Sequence, residues 1–218
     1  MNANARACKQ KFLRFFPKGF ADPKYIDWER GYKETAHERW VATLDRAEYA
    51  RLLEAGAYAD IAARAVRLES QTNLLFSFEK MALRDAVKPA SGARAFAEGL
   101  FELVYGRAGL QSRFEAWVEV VRELPRVQTR VLTWPVATVF GFIARPAEQI
   151  FLKPNVTRIA AREYGFDFHY LSTVAWDTYA SYLGFAEQIR EDLASMKPRD
   201  MIDIQSFMWV QGSDEYEE

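Results

Sequence analysis

The sequence predicts an all-α, multi-helix globular fold. Apolar residues recur at three- and four-residue intervals through most of the 218-residue chain, and no segment alternates long enough to form a sheet. Half of the residues are hydrophobic and 27% are charged, a composition typical of a chain that buries a sizeable core. Breaks in the pattern divide the chain into roughly eight to ten helices.

The first 40 residues combine aromatic and basic side chains with two prolines. This composition predicts an irregular arm that contains a short helix near residues 25–34. The next helix is predicted to begin at Asp45, a capping residue followed three positions later by Glu48. Gly56 is the expected end of that helix.

The middle of the chain predicts long helices. Residues 58–87 contain neither Gly nor Pro, so we expect a continuous helical stretch there. A second helix is predicted over residues 91–105, where the apolar positions share one face. Ser112 and Glu115 have the spacing of a capping box and predict a helix that stops at Pro125.

Two prolines mark helix starts in the C-terminal third. Thr133 is placed to cap a helix that carries Pro135 in its first turn and runs to residue 144. Pro154 opens the following helix, and Gly165 closes it, because glycine readily adopts the left-handed conformation at a helix end.

The rest of the chain predicts a short extended piece at residues 166–171, a long helix at about 175–196 and a last helix that starts at Asp200. The acidic ending indicates a solvated tail. We therefore divide the chain into a basic aromatic arm at 1–40, a helical globular domain at 41–212 and an acidic tail at 213–218.

The residue inventory excludes several classes of protein. Cys8 is the only cysteine, so no internal disulfide can form and nothing argues for secretion. Together with His37 and His169 it supplies too few soft ligands for a structural zinc site. The sequence has no glycine-rich phosphate loop, no HExxH and no CxxC. We therefore expect neither a metal nor a cofactor.

The hydropathy pattern gives no indication of a membrane protein. The longest apolar stretch, residues 131–144, is too short to span a bilayer and fits a buried core helix. No apolar run precedes the first charges of the chain, so no signal peptide is predicted. We expect a cytoplasmic protein without a membrane partner.

The formal net charge of −1 conceals an uneven distribution. Residues 122–162 carry seven Lys or Arg and two acids. Lys153 directly precedes the helix predicted from Pro154, and the N–H groups of a helix start, with Arg158 nearby, favour an anion. A bound phosphate or carboxylate is one interpretation; a solvated lysine before a helix is the other.

Residues 130–165 contain the run Val-Ala-Thr at 136–138 and, after a loop, the run NVTRIAAR at 155–162. The segment ESQTN at 69–73 precedes them, and the segment 198–209, which contains the start of the last predicted helix, follows. In this order the segments resemble the helix-hairpin-helix DNA glycosylases. In that family a hairpin grips a DNA phosphate, a helix presents a catalytic Asp, and a Gln wedges into the duplex.

The resemblance implies a set of candidate residues. It implies DNA contacts from Gln71 as the wedge, from Arg130 and Thr133 at the hairpin, from Asn155 and Arg158 at the helix start, and from Trp209 beside the pocket. Lys153 and Asp203 are the catalytic candidates, Lys153 as an amine nucleophile if burial lowers its pKa. The implied partner is duplex DNA.

The sequence departs from the family pattern at the hairpin glycines, at the catalytic Asp and at the lysine of bifunctional members. The hairpin glycines fall on Val131 and Thr133, although only glycine easily permits the close backbone approach to phosphate. The catalytic Asp falls on Lys153 or Asn155, and the lysine of bifunctional members falls on Pro135. The expected function is therefore DNA binding or damaged-base handling with altered or lost catalysis; an enzyme would be a DNA N-glycosylase-like hydrolase or lyase.

A helical protein-interaction protein with no nucleic-acid ligand and no enzymatic activity is the second hypothesis. The near-zero net charge, the acidic tail and the 15% aromatic content support it. A protein partner or a second copy would then dock on the arm through Phe15, Phe16, Phe20, Tyr25 and Trp28, unless these rings pack on their own core. An unrelated enzyme that uses a buried carboxylate or Lys153 is the third hypothesis.

Overall fold

A computed structural model describes residues 1–217, and within that range the protein is all-α, without a strand. Eleven α-helices of nine or more residues form the described part. They are α1 Ala3–Phe15, α2 Gly31–Leu44, α3 Arg46–Glu54, α4 Tyr58–Ser70, α5 Ser77–Ala86, α6 Ala90–Tyr105, α7 Leu110–Glu123, α8 Trp134–Ala144, α9 Pro154–Tyr164, α10 Trp176–Asp192 and α11 Met201–Gly212. No helix of residues 1–217 combines the length and apolar character needed to cross a membrane.

Several predicted helix ends are confirmed because capping is a local interaction. The Asp45 carboxylate accepts a hydrogen bond from the Glu48 N–H at 2.8 Å. Thr133 caps α8 through the Val136 N–H, and Asp200 caps α11. Gly165 ends α9 with a φ of 74°, a backbone conformation that glycine adopts without steric cost.

The predicted helix at residues 58–87 is interrupted, which is one reason why the helices outnumber the prediction. The Thr72 hydroxyl donates to the Glu69 carbonyl, and the Lys80 amine donates to the Thr72 carbonyl. The Glu79 carboxylate accepts the Phe76 N–H and so starts α5. These side-chain hydrogen bonds compete with the backbone hydrogen bonds of a helix. The helix is therefore interrupted, although the segment contains neither Gly nor Pro.

The capping box predicted at Ser112 is wrong. Helix α7 begins at Leu110, directly after Gly109, so Ser112 lies inside the first turn. The Arg113 guanidinium donates to the Leu103 carbonyl of α6 and joins the two helices there. Helix α7 thus starts earlier than the local pattern predicts, and this tertiary contact lies in its first turns.

The N-terminal arm is helical instead of irregular. Asn2 caps α1, and the turn Gly19–Ala21, the short helix Pro23–Tyr25 and the π-turn Ile26–Arg30 lead into α2. The rings of Phe12, Phe16, Phe20 and Tyr25 are buried and contact one another, and Phe12 also contacts Phe207 of α11. These rings therefore belong to the chain's own core, whereas Trp28 remains exposed.

Two wholly or almost wholly buried helices organise the packing. Every residue of α8 is buried, and α8 contacts α2, α4, α6 and α7. Eleven of the twelve residues of α11 are buried, and α11 packs closely against α9 as well as α1 and α10. Gly212 touches the Val156 carbonyl so closely that a Cβ would lie 2.2 Å from it.

A buried charge cluster attaches the N-terminal segment to α11. The Asp203 carboxylate has no exposed surface and accepts hydrogen bonds from Tyr25 Oη at 2.6 Å and Arg30 Nη1 at 3.0 Å. Arg199 donates to the same carboxylate through its backbone N–H and its guanidinium. Arg30 also pairs with Asp200. Beside this cluster, Lys33 pairs with Glu29.

Replacing Asp203 with Asn should lower the free energy of unfolding by about 3–5 kcal/mol, because the buried Arg30 guanidinium loses its most deeply buried counter-charge and the ion pair with Arg199 is lost. Urea denaturation followed by far-UV circular dichroism measures this change. Asp167→Asn removes a carboxylate whose side chain is 96% exposed, so its effect should stay within about 0.5 kcal/mol. A loss below about 1 kcal/mol for Asp203→Asn would contradict a structural role for this carboxylate.

Candidate functional site

A cleft of about 1160 Å³ lies where the first turns of α5, α8 and α9 meet the last turn of α11. The loop between α7 and α8 and the loop between α9 and α10 complete its walls. Its volume is ample for a ligand the size of a nucleotide. The residues of the cleft used below are Phe76, Phe78, Glu79, Arg126, Arg130, Thr133, Lys153, Asn155, Trp209, Asp214 and Glu215.

Glu79 joins two of the helix starts. Its Oε2 atom accepts the Phe76 N–H at 3.0 Å, and its Oε1 atom accepts the Thr133 hydroxyl at 2.7 Å. The Thr133 hydroxyl in turn accepts the Val136 N–H of α8. The side chain of Glu79 is buried, and this chain of hydrogen bonds fixes α5 against α8.

The loop before α9 is held from two sides. The Leu152 N–H donates to the Thr138 hydroxyl of α8 at 3.0 Å, and the Tyr182 hydroxyl of α10 donates to the Phe151 carbonyl at 2.9 Å. Lys153 follows directly as the residue that precedes α9, and Pro154 takes the first helical position. The first-turn N–H groups of an α-helix have no acceptor within the helix, so this end suits an anionic ligand.

The Lys153 amine lies among aromatic rings. Its Nζ atom is 4.2 Å from the Phe76 ring centroid and 5.1 Å from the Trp209 ring centroid. Desolvation lowers the pKa of Lys153, and the charges of Glu79 and Glu215 partly oppose that shift. Ring contacts of this kind attract a cation without neutralising it, so the positive charge stays available to a ligand.

A second group of cations borders the cleft on the loop between α7 and α8. Arg126 and Arg130 are exposed there, and no ion pair joins either of them to an acid of residues 1–217. Thr129, which directly precedes Arg130 in the chain, also lines the cleft. The two guanidinium groups therefore keep their donors for a ligand or for water.

Two acids oppose these cations at the rim. The predicted solvated tail folds back as the turn Asp214–Tyr216, and the Tyr216 hydroxyl donates to the buried Glu29 carboxylate at 2.6 Å. Glu215 accepts the Trp209 indole N–H at 3.1 Å. Residues 213–217 thus bring two carboxylates to a cationic cleft; the remaining residue of the predicted tail, Glu218, lies outside the described residues.

Aromatic side chains form an open edge of the cleft. Phe76 and Phe78 are 49% and 52% exposed, and their rings stack with centroids 5.6 Å apart at an interplanar angle of 13°. Trp209 and Tyr170 line other parts of the cleft and are half-buried. Exposed, stacked rings beside unpaired cations are suited to a ligand that has both planar and anionic parts.

The structure brings five of the eight predicted site residues together. Lys153, Arg130, Thr133, Asn155 and Trp209 all line the cleft, although they come from three separate parts of the chain. Thr133 and Trp209 are engaged by Glu79 and Glu215, whereas the Arg130 side chain is exposed.

Three predicted site residues do not line the cleft. Asp203 is fully buried in the charge cluster with Arg30, so it does not line the pocket as the resemblance implies. Gln71 lies at the exposed end of α4, where it accepts a hydrogen bond from Arg39. Arg158 lies on the exposed face of α9, and its guanidinium carbon is 5.2 Å from the Tyr170 ring centroid.

The sequence pattern did not identify several residues of the cleft, among them Phe76, Phe78, Glu79, Arg126 and Glu215. The first three lie within residues 58–87. A continuous helix was expected there, so the start of α5 was not predicted. The available signal was Glu79 three positions after Phe76, the spacing of a residue that caps a helix N-terminus.

No protein-family model matches the chain, and neither a curated protein nor a solved structure matches it at a significant level. The resemblance to the helix-hairpin-helix DNA glycosylases therefore stays a prediction. The chemistry of the cleft is the remaining basis for a function.

Lys153 should lose its proton at a lower pH than an exposed lysine, because burial destabilises its charged form. A carbon-detected NMR titration measures the midpoint of the Lys153 side chain in the folded protein and in the urea-unfolded protein, which serves as the reference. The folded-state pKa then lies below the unfolded value, so stability should rise as pH increases between the two. Equal midpoints of Lys153 in the folded and the unfolded protein would contradict the burial of the amine.

Proposed function

We propose that the protein binds DNA in this cleft and handles damaged or displaced bases there, with glycosylase catalysis altered or lost. The observation that carries the proposal is the Lys153 amine beside the rings of Phe76 and Trp209, in a cleft bordered by unpaired arginines. Lysine and arginine supply the affinity for phosphate, and aromatic rings supply surfaces for bases.

The phosphate contacts would come from two walls of the cleft. Lys153 lies at the start of α9, where the helix dipole adds to its charge. Arg126 and Arg130 lie on the loop between α7 and α8 that also borders the cleft and would contact a neighbouring phosphate. Contacts of this kind position a nucleic acid without reading its sequence.

The positions of Glu79 and Asp203 support altered or lost catalysis, while Asp214 and Glu215 remain exposed carboxylates of the cleft. Glu79 accepts hydrogen bonds from Phe76 and Thr133, so both of its oxygens are occupied. Asp203 is inside the charge cluster and cannot reach a ligand of the cleft. A glycosylase needs a carboxylate that stabilises a sugar cation or activates water, and neither of these carboxylates is free for that role.

A protein-interaction function is the second candidate, and exposed apolar side chains favour it. Phe76, Phe78 and Met81 lie on or beside α5, and each is about half exposed. Trp28 is similarly exposed on the N-terminal segment, with the Lys24 amine 4.1 Å from its ring centroid. Such side chains are common in protein interfaces, but they do not account for the unpaired cations of the cleft.

The first test is binding to DNA. Fluorescence anisotropy compares a duplex that contains an abasic site with the intact duplex at low and moderate salt. We expect binding that weakens with salt, and we expect Lys153→Ala to reduce the magnitude of the salt slope by about 1, as for one lost phosphate contact. Lys88→Ala is the matched control, because Lys88 is exposed and does not line the cleft.

Two outcomes would contradict the proposal. Absence of binding to either duplex at low salt would exclude a function in binding duplex DNA. Equal binding by the wild type, Lys153→Ala and Lys88→Ala would place the DNA elsewhere on the surface, so the cleft would not be the binding site.

Neutralising the acidic turn should strengthen DNA binding. The double variant Asp214→Asn/Glu215→Gln removes two negative charges from the rim, so repulsion of phosphate decreases and affinity should rise several-fold at low salt. Asp60→Asn/Glu98→Gln removes the same charge from α4 and α6 and should change affinity less than twofold. Equal gains for both double variants would show a net-charge effect instead of a local one.

A further inference from the structure

The stacked rings of Phe76 and Phe78 are more exposed than packing into the core would leave them. Both rings are about half exposed, although burial of a phenyl ring stabilises a protein by about 1.5–3 kcal/mol. Phe76 is in contact with the Lys153 amine, while Phe78 has no aromatic neighbour other than Phe76 in the described residues. One flat apolar surface therefore remains open at the edge of a cationic cleft.

We propose that Phe78, supported by Phe76, is the stacking platform for an unpaired nucleobase. This inference rests on the proposed function and specifies its ligand: DNA with a base that is single-stranded or displaced from the helix. A paired base inside a duplex has both faces covered by its neighbours and cannot stack on a side chain without leaving the helix.

The charges around the platform match this ligand. The Lys153 amine lies 4.2 Å from the centroid of Phe76, the ring on which Phe78 stacks, so its charge is available to the phosphates of a strand that continues from the stacked base into the cleft. Arg126 and Arg130 line the same cleft for the phosphates on either side. An apolar peptide would use the two rings but would leave these cations without partners, so the charge pattern favours a nucleic acid over a protein segment.

The acidic turn strengthens the preference for unpaired bases over an intact duplex. Asp214 and Glu215 lie in the same cleft as the cations and reduce its net positive charge. Charge attraction alone then holds a nucleic acid weakly, so base stacking supplies a larger share of the affinity. Intact duplex, which offers phosphates without free base faces, should therefore bind more weakly than a strand with unpaired bases.

The experiment compares three fluorescein-labelled probes of one sequence at low salt: the single strand, the intact duplex and a duplex with a single-base bulge. We expect the single strand and the bulge to bind at least about tenfold more tightly than the duplex. Phe78→Leu should remove most of that difference and leave duplex binding within twofold. Phe78→Trp should preserve the difference, because it retains an aromatic face.

Met81→Ala is the matched control. Met81 is as exposed as Phe78 and lies on the same helix, but it has no ring. The control should bind all three probes as the wild type does. A bulged 2-aminopurine provides a second readout, because its fluorescence falls when it stacks on a ring and should fall with the wild type but not with Phe78→Leu.

The outcomes separate this inference from the proposed function. If all three probes bind equally and Phe78→Leu changes nothing, the stacking platform is wrong while DNA binding stands. If no probe binds at low salt, both proposals are overturned. If Met81→Ala reproduces the loss seen with Phe78→Leu, a general apolar contact replaces base stacking.

Discussion

The carboxylate of Asp203 has no contact with solvent, and a buried charge without a counter-charge is too costly for a folded protein. Arg30, Arg199 and the Tyr25 hydroxyl neutralise it and satisfy its oxygens. These donors include residues of the N-terminal segment, more than 170 positions away in the chain. The hydrogen bonds to Asp203 therefore hold the beginning of the chain on α11, and the aromatic arm becomes part of the core.

The position of α11 then determines one side of the cleft. Its last turn presents Trp209, and the turn that follows brings Glu215 back onto the indole N–H. Glu79 performs a comparable task on the other side, since its two oxygens connect the starts of α5 and α8. The cleft is consequently built from helix ends, which carry the polar groups that a helix cannot satisfy by itself.

The chemistry of the cleft is a balance of opposing charges beside exposed rings. Lys153, Arg126 and Arg130 attract an anion, while Asp214 and Glu215 limit that attraction. Apolar ring faces remain as the second source of affinity. A ligand with phosphates and planar bases satisfies both features, whereas a simple anion or an apolar peptide satisfies one of them. This combination is what makes the DNA proposal specific enough to test.

The sequence by itself determined the helical class and those helix ends that depend on neighbouring residues, such as Thr133 before Pro135 and Gly165 after α9. It also identified Lys153 and Trp209 as candidate site residues, and both line the cleft. Tertiary structure alone decided that Phe76 lies beside Lys153 and that Asp203 is a buried anchor. The physical reason is range: capping acts over three or four residues, whereas these outcomes depend on side chains that only folding brings together.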